Sequence, residues 1–195
     1  GNVIKDADDN PIAVTGLEIK ADGSWSFDPS VDAYNDLAKG QEQTITVDYT
    51  VTDGSGETGS SSFTINLTGT NDAPVATFSD STLTATEDGT QLSGQLTATD
   101  ADANETLSYQ LLGAPIDGLT LNQETGAWTF DPTNTAYQSL AADDTQTITV
   151  QYGVTDSKGA LATNSFAITL TGTNDAPIAT FNAAPATTEG SVSLT

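Results

Sequence analysis

The sequence has no cysteine, no histidine, no methionine and no arginine. Without cysteine no disulfide can form, and without histidine neither Ser-His-Asp nor Cys-His catalysis is possible. Zinc sites draw mainly on the same two residue types. Paired-carboxylate hydrolysis is the enzyme chemistry that remains.

Positive charge is also scarce, with four lysines against 27 acidic residues and a formal net charge of -23 over 195 residues. Because binding phosphate groups needs a basic face, nucleic acid is excluded as a partner and an anionic membrane surface is disfavoured. No apolar run approaches the roughly 20 residues of a membrane-spanning helix. The first residues, GNVIKDADDN, are acidic and polar, unlike a signal peptide. A divalent cation is the natural counter-charge.

An internal repeat is present. The segment LTGTNDAP occurs at 67–74 and again at 170–177. The spacing of 103 residues between Asp72 and Asp175 also carries Trp25 to Trp128, and no gap is needed from Gly23 to Phe78 in the first copy. The sequence therefore predicts a tandem array of units of about one hundred residues. We expect a first repeat at 1–70 that lacks its first strand, a second complete repeat at 71–173, and a linker with the first strand of a following repeat at 174–195.

The two ends of the sequence complement each other. The tail ATFNAAPATTEGSVSLT matches residues 76–93, and joining Thr195 to Gly1 gives LTGNVIKDAD, which parallels LSGQLTATDAD at 92–102. The sequence is therefore interpreted as a window onto a longer array. Either it is part of a longer chain, or it is a filament subunit whose C-terminal strand completes the first domain of its neighbour.

Alternation with period two predicts antiparallel strands. In TITVDYTVTD (44–53) and TITVQYGVTD (147–156), Ile, Val and Tyr alternate with mostly Thr and Asp. A second strand follows each segment after a turn, and LTLNQETGAWTF (119–130) indicates a further hairpin that turns at 124–126. The predicted fold class is all-β, with tandem Ig-like antiparallel β-sandwich domains.

One short helix is predicted in each repeat. DPSVDAYNDLAKG (28–40) has Asp28 as N-cap, Pro29 in the first turn and Gly40 as stop, and DPTNTAYQSLAA (131–142) copies it. Asp28 and Asp131 are therefore interpreted as caps in preference to metal ligands. Trp25 and Trp128 recur at one place in the repeat, which favours core packing over sugar binding.

Acidic residues cluster at particular turns. Asp100, Asp102 and Asn104 follow one strand, and Asp6, Asp8 and Asn10 form the same pattern in the first copy. Such a run supplies the hard oxygen atoms that Ca²⁺ prefers, although solvated turns are the alternative. It is not an EF-hand, because neither the glycine of position six nor the glutamate of position twelve is present.

These motifs resemble those of cadherin repeats. TATDADANETLSYQLL (97–112) resembles the Asp-x-Asp loop, LTATEDGTQLSG (83–94) the first-strand Glu segment, VTDSKG (154–159) the late Asp turn and TGTNDAPVATF (68–78) the linker. The stretch from GSWSFDPS to VTDGSGET is similar to the VCBS and cadherin-like repeats that form the extender region of giant bacterial RTX-type adhesins. The resemblance covers nearly the whole chain and implies that the β-sandwich domains are cadherin-like.

The resemblance implies Ca²⁺ at the joints between domains. One joint would use Asn71 and Asp72 with Asp100, Asp102 and Asp156. The equivalent top of the first copy would be formed by Asp6, Asp8 and Asp53. Asn174 and Asp175 would begin the next joint with Glu87 below it, and Glu189 would serve a further joint. Gly69 and Gly172 stand where cadherin linkers often have Asp.

The predicted function is a structural, non-enzymatic one. The expectation is a Ca²⁺-rigidified stalk of a secreted or bacterial cell-surface adhesin, which extends its reach in cell adhesion and biofilms. Its partners would be neighbouring repeats of the same protein, or neighbouring subunits. The alternatives are a self-assembling extracellular filament joined by strand complementation, and a carbohydrate-binding module or carboxylate hydrolase.

Overall fold

Nearly all regular structure is β-strand in the computed structural model, which describes residues 3–6, 8, 10–79 and 82–180. No helix within these ranges is long and apolar enough to cross a membrane. The strands, in chain order, are β1 (Val3–Lys5), β2 (Leu17–Ile19), β3 (Trp25–Phe27), β4 (Glu42–Thr52), β5 (Thr58–Thr68), β6 (Val75–Thr77), β7 (Thr82–Thr86), β8 (Leu92–Gln95), β9 (Thr97–Thr99), β10 (Ser108–Leu112), β11 (Leu119–Leu121), β12 (Ala127–Phe130), β13 (Thr145–Thr155) and β14 (Leu161–Thr171).

The framework of each repeat is a long antiparallel hairpin, β4–β5 in the first and β13–β14 in the second. Val47 faces Phe63 across the first hairpin, and Val150 faces Phe166 at the equivalent place in the second. The predicted alternation is confirmed, because alternate apolar residues are buried: Ile148, Val150, Tyr152 and Val154 of β13, and Phe166, Ile168 and Leu170 of β14.

The second repeat is a β-sandwich, as predicted. One sheet has the order β10-β13-β14-β7, in which β7 runs parallel to β14, and the facing sheet has the order β11-β12-β8. Between them lies a continuous apolar core. Its aromatic centre is Phe166, which stacks on Phe78 at 4.4 Å between ring centroids and lies 5.1 Å from Trp128.

Strand β8 covers Trp128 closely. Gly94 of β8 pairs with Trp128 of β12, and a Cβ atom built on Gly94 would lie 2.5 Å from the indole ring. The absence of a side chain at this position therefore lets the strand approach the ring, and Trp128 is only 3 % exposed. Core packing of Trp128 is confirmed.

The first repeat has smaller sheets, β1-β4-β5 and β2-β3. Trp25, the counterpart of Trp128, stacks on Phe63 at 5.3 Å but remains 54 % exposed. The expectation of a buried core position is therefore wrong for Trp25. Among the described residues of the first repeat, no strand occupies the places that β6 and β8 take in the second.

Strand β1 also departs from the expectation. The parallel between LTGNVIKDAD and LSGQLTATDAD would give residues 3–5 the place of β9, which pairs with β6. Val3 instead pairs with Thr52 of β4, just as Ser108 of β10 pairs with Thr155 of β13. The first copy has only PIAVTG (11–16) where the second has ETLSYQLLGAPIDG (105–118), which contains β10. The edge of β4 is therefore free to pair with β1.

The predicted helix is present only as a single 3₁₀ turn at Asp32–Tyr34, and residues 131–142 form successive turns. Asp28 accepts hydrogen bonds from the amide and the hydroxyl group of Ser30, so it stabilises a local turn and does not cap a helix. Asp131 does the same with Thr133. Short polar side chains that bond the nearby backbone compete with helix formation.

Candidate functional site

The linker after the first repeat meets two acidic turns of the second. Asn71 Nδ2 donates a hydrogen bond to Asp156 Oδ2 at 2.8 Å, and the Asp72 amide donates one to Asp102 Oδ2 at 3.0 Å. The linker therefore joins turns that lie more than fifty residues apart in the sequence, as the resemblance to cadherin repeats implied for these residues.

Each acidic turn is held by its own backbone. Asp100 Oδ1 accepts the amide of Asp102 at 2.9 Å. Asp156 Oδ1 accepts the amides of Lys158 at 2.8 Å and Ala160 at 2.9 Å. The Asn71 side chain and these amides lower the pKa of Asp156, because they stabilise its charged form. Asp156 is thus fixed in place and ionised at neutral pH.

Burial makes this cluster unusual. Asp102 is 4 % exposed and Asp156 is 5 % exposed, although charged groups are seldom buried without a partner. Three oxygen atoms here are buried without any hydrogen-bond partner: Asn71 Oδ1, Asp100 Oδ2 and Asp102 Oδ1. Such acceptors are costly to leave unpaired, which makes them candidates for coordination of a cation.

The carboxylates of this cluster do not form a complete metal site by themselves. In the described ranges no three acidic side chains are grouped closely enough to hold a metal ion by themselves. Each one is instead directed at amide donors, which is the arrangement expected of like charges that avoid each other. A cation here would have to combine carboxylate oxygens with the amide oxygen of Asn71.

The first repeat approaches the same joint through its turn segment. The amide of Ala103, between Asp102 and Asn104, donates to the carbonyl group of Asp36 at 3.0 Å. A Cβ atom on Gly69 would lie 2.1 Å from the carbonyl oxygen of Leu37. The position where cadherin linkers often carry Asp is therefore too crowded here for a side chain.

A second site of this kind lies at the other end of the second repeat. Glu87 is 1 % exposed, its Oε2 accepts the amide of Thr173 at 3.0 Å, and its Oε1 has no partner. The described residues thus contain four buried side-chain oxygens without a partner, and all four belong to the predicted ligand set. Asn174 and Asp175, next along the chain, are exposed.

The top of the first repeat has equivalent turns, and no linker segment contacts them among the residues that the structure describes. Asp6 Oδ1 accepts the amides of Asp8 and Asn10, and Asp53 Oδ1 accepts those of Ser55 and Glu57. Asp8 and Asp53 are exposed, in contrast to their buried counterparts in the second repeat. Glu189 lies outside the described residues.

Two contacts at the joint were not predicted. Glu105 Oε1 pairs with Lys158 Nζ at 3.1 Å, and its Oε2 accepts the amide of Ser157 at 3.2 Å, which ties the two acidic turns together. The other is the bond between Asp36 and Ala103. The lysine in VTDSKG, among many acidic residues, could have indicated the ion pair. The contact between Asp36 and Ala103 uses backbone atoms only, so no residue type in the sequence indicates it.

Comparison with known proteins identifies one family. The model of the bacterial cadherin-like domain matches residues 71–172, about half of the chain. Comparison with curated proteins finds no match. Among solved structures, human CDH23 EC21-23 is similar with a TM-score of 0.51 and 17 % identity, over 88 % of this chain and 56 % of that one. Drosophila N-cadherin EC1-4 has a TM-score of 0.49 and 16 % identity, over 90 % of this chain and 43 % of that one. The chain therefore spans about half the length of these structures, and the likeness is one of fold.

Proposed function

The chain belongs to the family of bacterial cadherin-like domains, and on that premise we propose that it is a Ca²⁺-rigidified extender of a secreted or cell-surface bacterial adhesin. Its role is structural: the repeats act as a spacer that holds an adhesive domain away from the cell and extends the reach of the cell in a biofilm. Its motifs resemble those of the VCBS-type repeats of RTX adhesins.

The observation that carries this proposal is the position of the buried oxygens without partners. All four lie on residues assigned to the joints from the sequence, and three of them gather where the linker meets the acidic turns. Solvated turns would leave such oxygens in contact with water, where they cost nothing. Buried here, they fit a hard cation that takes six to eight oxygen ligands.

The residues of the joint supply oxygen atoms from both the second repeat and the linker. Asp100, Asp102 and Asp156 supply carboxylate oxygens from the second repeat, and their bonds to backbone amides fix the direction of each. Asn71 and Asp72 bring oxygen atoms from the linker. Bound Ca²⁺ supplies positive charge that holds these groups to one centre.

Without a cation, repulsion between the carboxylates works against a fixed joint. Two unit charges 4 Å apart repel by about 4 kcal/mol at an effective dielectric constant of 20. Extracellular Ca²⁺ modules often bind at about 10⁻⁴–10⁻³ M, a range that is filled outside a cell and empty in the cytosol. The chain would therefore be flexible during export and stiffen afterwards.

Thermal melting tests the proposal. At 10 mM Ca²⁺ a site of that affinity stabilises the folded state by about 1.4–2.7 kcal/mol relative to EDTA, which raises the melting temperature of a domain of this size by about 5–15 °C. Asp48→Asn is the matched control, because it removes one carboxylate from an exposed position of β4. It should keep the full Ca²⁺ response. Identical melting in Ca²⁺ and EDTA would contradict the proposal.

A second candidate function is a self-assembling extracellular filament. It is favoured by one observation, the exposed Trp25 in a repeat whose twin buries the same residue. Light scattering of the isolated chain separates the two candidates, because only a filament subunit forms assemblies whose size increases with protein concentration.

A further inference from the structure

The chain enters and leaves the second repeat at opposite ends. At the entrance, Asn71 bonds to Asp156, which lies between the end of β13 and the start of β14. Strand β14 runs from Leu161 to Thr171, and the chain leaves the sheet at its last residue. A pull on the two ends of this repeat therefore acts along the length of β14.

The strand that opposes this pull is β7. It pairs in parallel with the end of β14, so that Thr82 lies level with Ala167 and Thr86 lies level with Thr171. The chain reaches β7 from the linker, so tension draws β7 towards the linker by its first residue. The same tension draws β14 away from the linker by its last residue. The two forces are opposite and lie along the strands, so they load the pair in shear.

Shear loads all the hydrogen bonds of such a pair at once. In a parallel pair the bonds are evenly spaced along the strands, and all of them must break before the strands can slide. Force applied across the same strands would open them from one end, one bond at a time. Because forced unfolding is governed by the rate of unfolding, a geometry that loads the bonds together prolongs the life of the repeat under tension.

Glu87 extends this pair beyond its last residues. Its amide donates to the carbonyl group of Thr171 at 2.8 Å, and its Oε2 accepts the amide of Thr173 at 3.0 Å. The side chain is buried, so little water competes for the second bond. Between these two residues, Gly172 exchanges backbone hydrogen bonds with residues 143–144. The chain is thus held from two sides at the point where it leaves the sheet.

The pair is also anchored in the apolar core. Ala85 of β7 and Ile168 and Leu170 of β14 are all buried members of that core. Sliding β7 along β14 would withdraw Ala85 from its packed surroundings, which adds the cost of exposing apolar surface to that of breaking the hydrogen bonds.

We propose that the second repeat bears tensile load, that the β7–β14 pair sets the force at which it unfolds, and that Glu87 is a positioning residue that locks the end of this pair. The inference deepens the extender proposal and rests on it, since tension arises only in a chain that tethers two bodies. It goes beyond rigidity, because a rigid joint resists bending whereas this pair resists stretching. The bond between Glu87 and Thr173 needs no metal ion, so it holds in EDTA as well.

Single-molecule pulling of the full chain in two directions tests the proposal. Because the chain has no cysteine, cysteines at exposed positions attach the handles. Thr70→Cys with Ala176→Cys stretches the second repeat between its ends, whereas Thr90→Cys with Ala176→Cys pulls β7 and β14 apart at one end. In EDTA and at one loading rate, we expect the rupture force to be at least about twofold higher in the first direction, because the bonds of the parallel pair share the load.

Variants of Glu87 separate the lock from general stability. In EDTA, Glu87→Ala should lower the rupture force in the first direction and leave the second unchanged, because in the second direction the bond to Thr173 breaks before the strand pair is loaded. Glu87→Gln keeps an oxygen acceptor for the Thr173 amide and should restore the force. The matched control is Glu124→Ala, which removes an exposed glutamate of the same repeat and should leave both forces unchanged. A merely less stable repeat would rupture at lower force in both directions.

The outcomes distinguish this inference from the extender proposal. Equal rupture forces in the two directions would overturn the load-bearing role and leave the Ca²⁺-dependent joint untouched, because the joint is measured by the response to Ca²⁺. If the directions differ but Glu87→Ala has no effect in EDTA, the role of the strand pair stands and the lock is wrong. A strand pair that resists shear in a chain whose melting ignores Ca²⁺ would contradict the rigidified joint and support the load-bearing role.

Discussion

The two repeats carry the same aromatic residues at the same spacing and bury them very differently. In the second, Trp128, Tyr152 and Phe166 all lie in a closed core. In the first, Trp25 and Phe63 line an open groove. The sequence of the hairpins is shared, so the difference comes from the strands that cover them, β6, β7 and β8.

This difference shows that the core of one repeat depends on the segment that precedes its hairpins. The linker that enters the second repeat also supplies Phe78, and a few residues further on it supplies β7 and Gly94. The proposed metal ligands and the core are therefore completed by the same stretch of chain. A joint that lacks its linker lacks both.

The largest expected difference between the repeats is in their aromatic centres. Phe166→Ala removes a ring that contacts Phe78 and Trp128 and should cost the second repeat about 3–5 kcal/mol of unfolding free energy. Phe63→Ala, at the rim of a groove, should cost the first repeat about 1–2 kcal/mol, because part of the ring is already in water. Urea unfolding followed by Trp128 and Trp25 emission measures the two; equal costs would mean that the first core is closed in solution.

Gly94 offers a more local test of the closed core. Gly94→Ala places a methyl group against the indole of Trp128 and should destabilise the second repeat by about 1–3 kcal/mol through overpacking. The control is Gly59→Ala, where a Cβ atom meets nothing within 4 Å and the counterpart in the second repeat is Ala162. It should change stability by less than about 0.5 kcal/mol. Equal effects of the two changes would show that Gly94 is not needed for the close approach.

The acidic turns can be compared in the same way. Asp102→Asn should abolish the Ca²⁺-dependent stabilisation of the second repeat, about 1.4–2.7 kcal/mol at 10 mM Ca²⁺. The counterpart change Asp8→Asn should have a smaller effect in the monomeric chain, because no linker reaches that turn among the described residues. Calcium titrations monitored by melting temperature give both values. A full response in Asp102→Asn would remove that carboxylate from the site.

The smallest expected effect is on acid stability. Hydrogen bonds from Ser157 and Lys158 lower the pKa of Glu105 in the folded state. A carboxyl group whose folded pKa is lowered stabilises the fold above its unfolded pKa, and this stabilisation is lost as the pH falls through the folded value. Glu105→Gln should therefore flatten the decline in melting temperature below about pH 5. Pro11 occupies the equivalent place in the first repeat, which should show no such contribution.

Much of the fold could be predicted from the sequence because it depends on local pattern. Period-two alternation identified both long hairpins, and the hairpin at Leu119–Phe130 was found from its turn residues. The contacts of Asn71 and Asp72 with distant turns were expected only through the resemblance to cadherin repeats. Nothing local in LTGTNDAP specifies those partners.

The predictions that failed concern contacts between segments. Trp25 has the same neighbours in sequence as Trp128, so its exposure could not be foreseen without knowing which strand covers it. The change of partner for β1 arises because a competing strand is missing, and alternation says nothing about that. The helix at 28–40 was overestimated because the capping pattern of Asp28 is shared by polar turns.

The most direct test of the central claim is a distance measurement across the joint. Because the chain has no cysteine, Ser62→Cys and Ser165→Cys can carry spin labels at equivalent exposed positions of β5 and β14. Pulsed electron paramagnetic resonance should give a broad distance distribution in EDTA and a single narrow one in 10 mM Ca²⁺, and the Asp102→Asn background should stay broad in both. A distribution of the same width with and without Ca²⁺ would contradict a joint that the ion makes rigid.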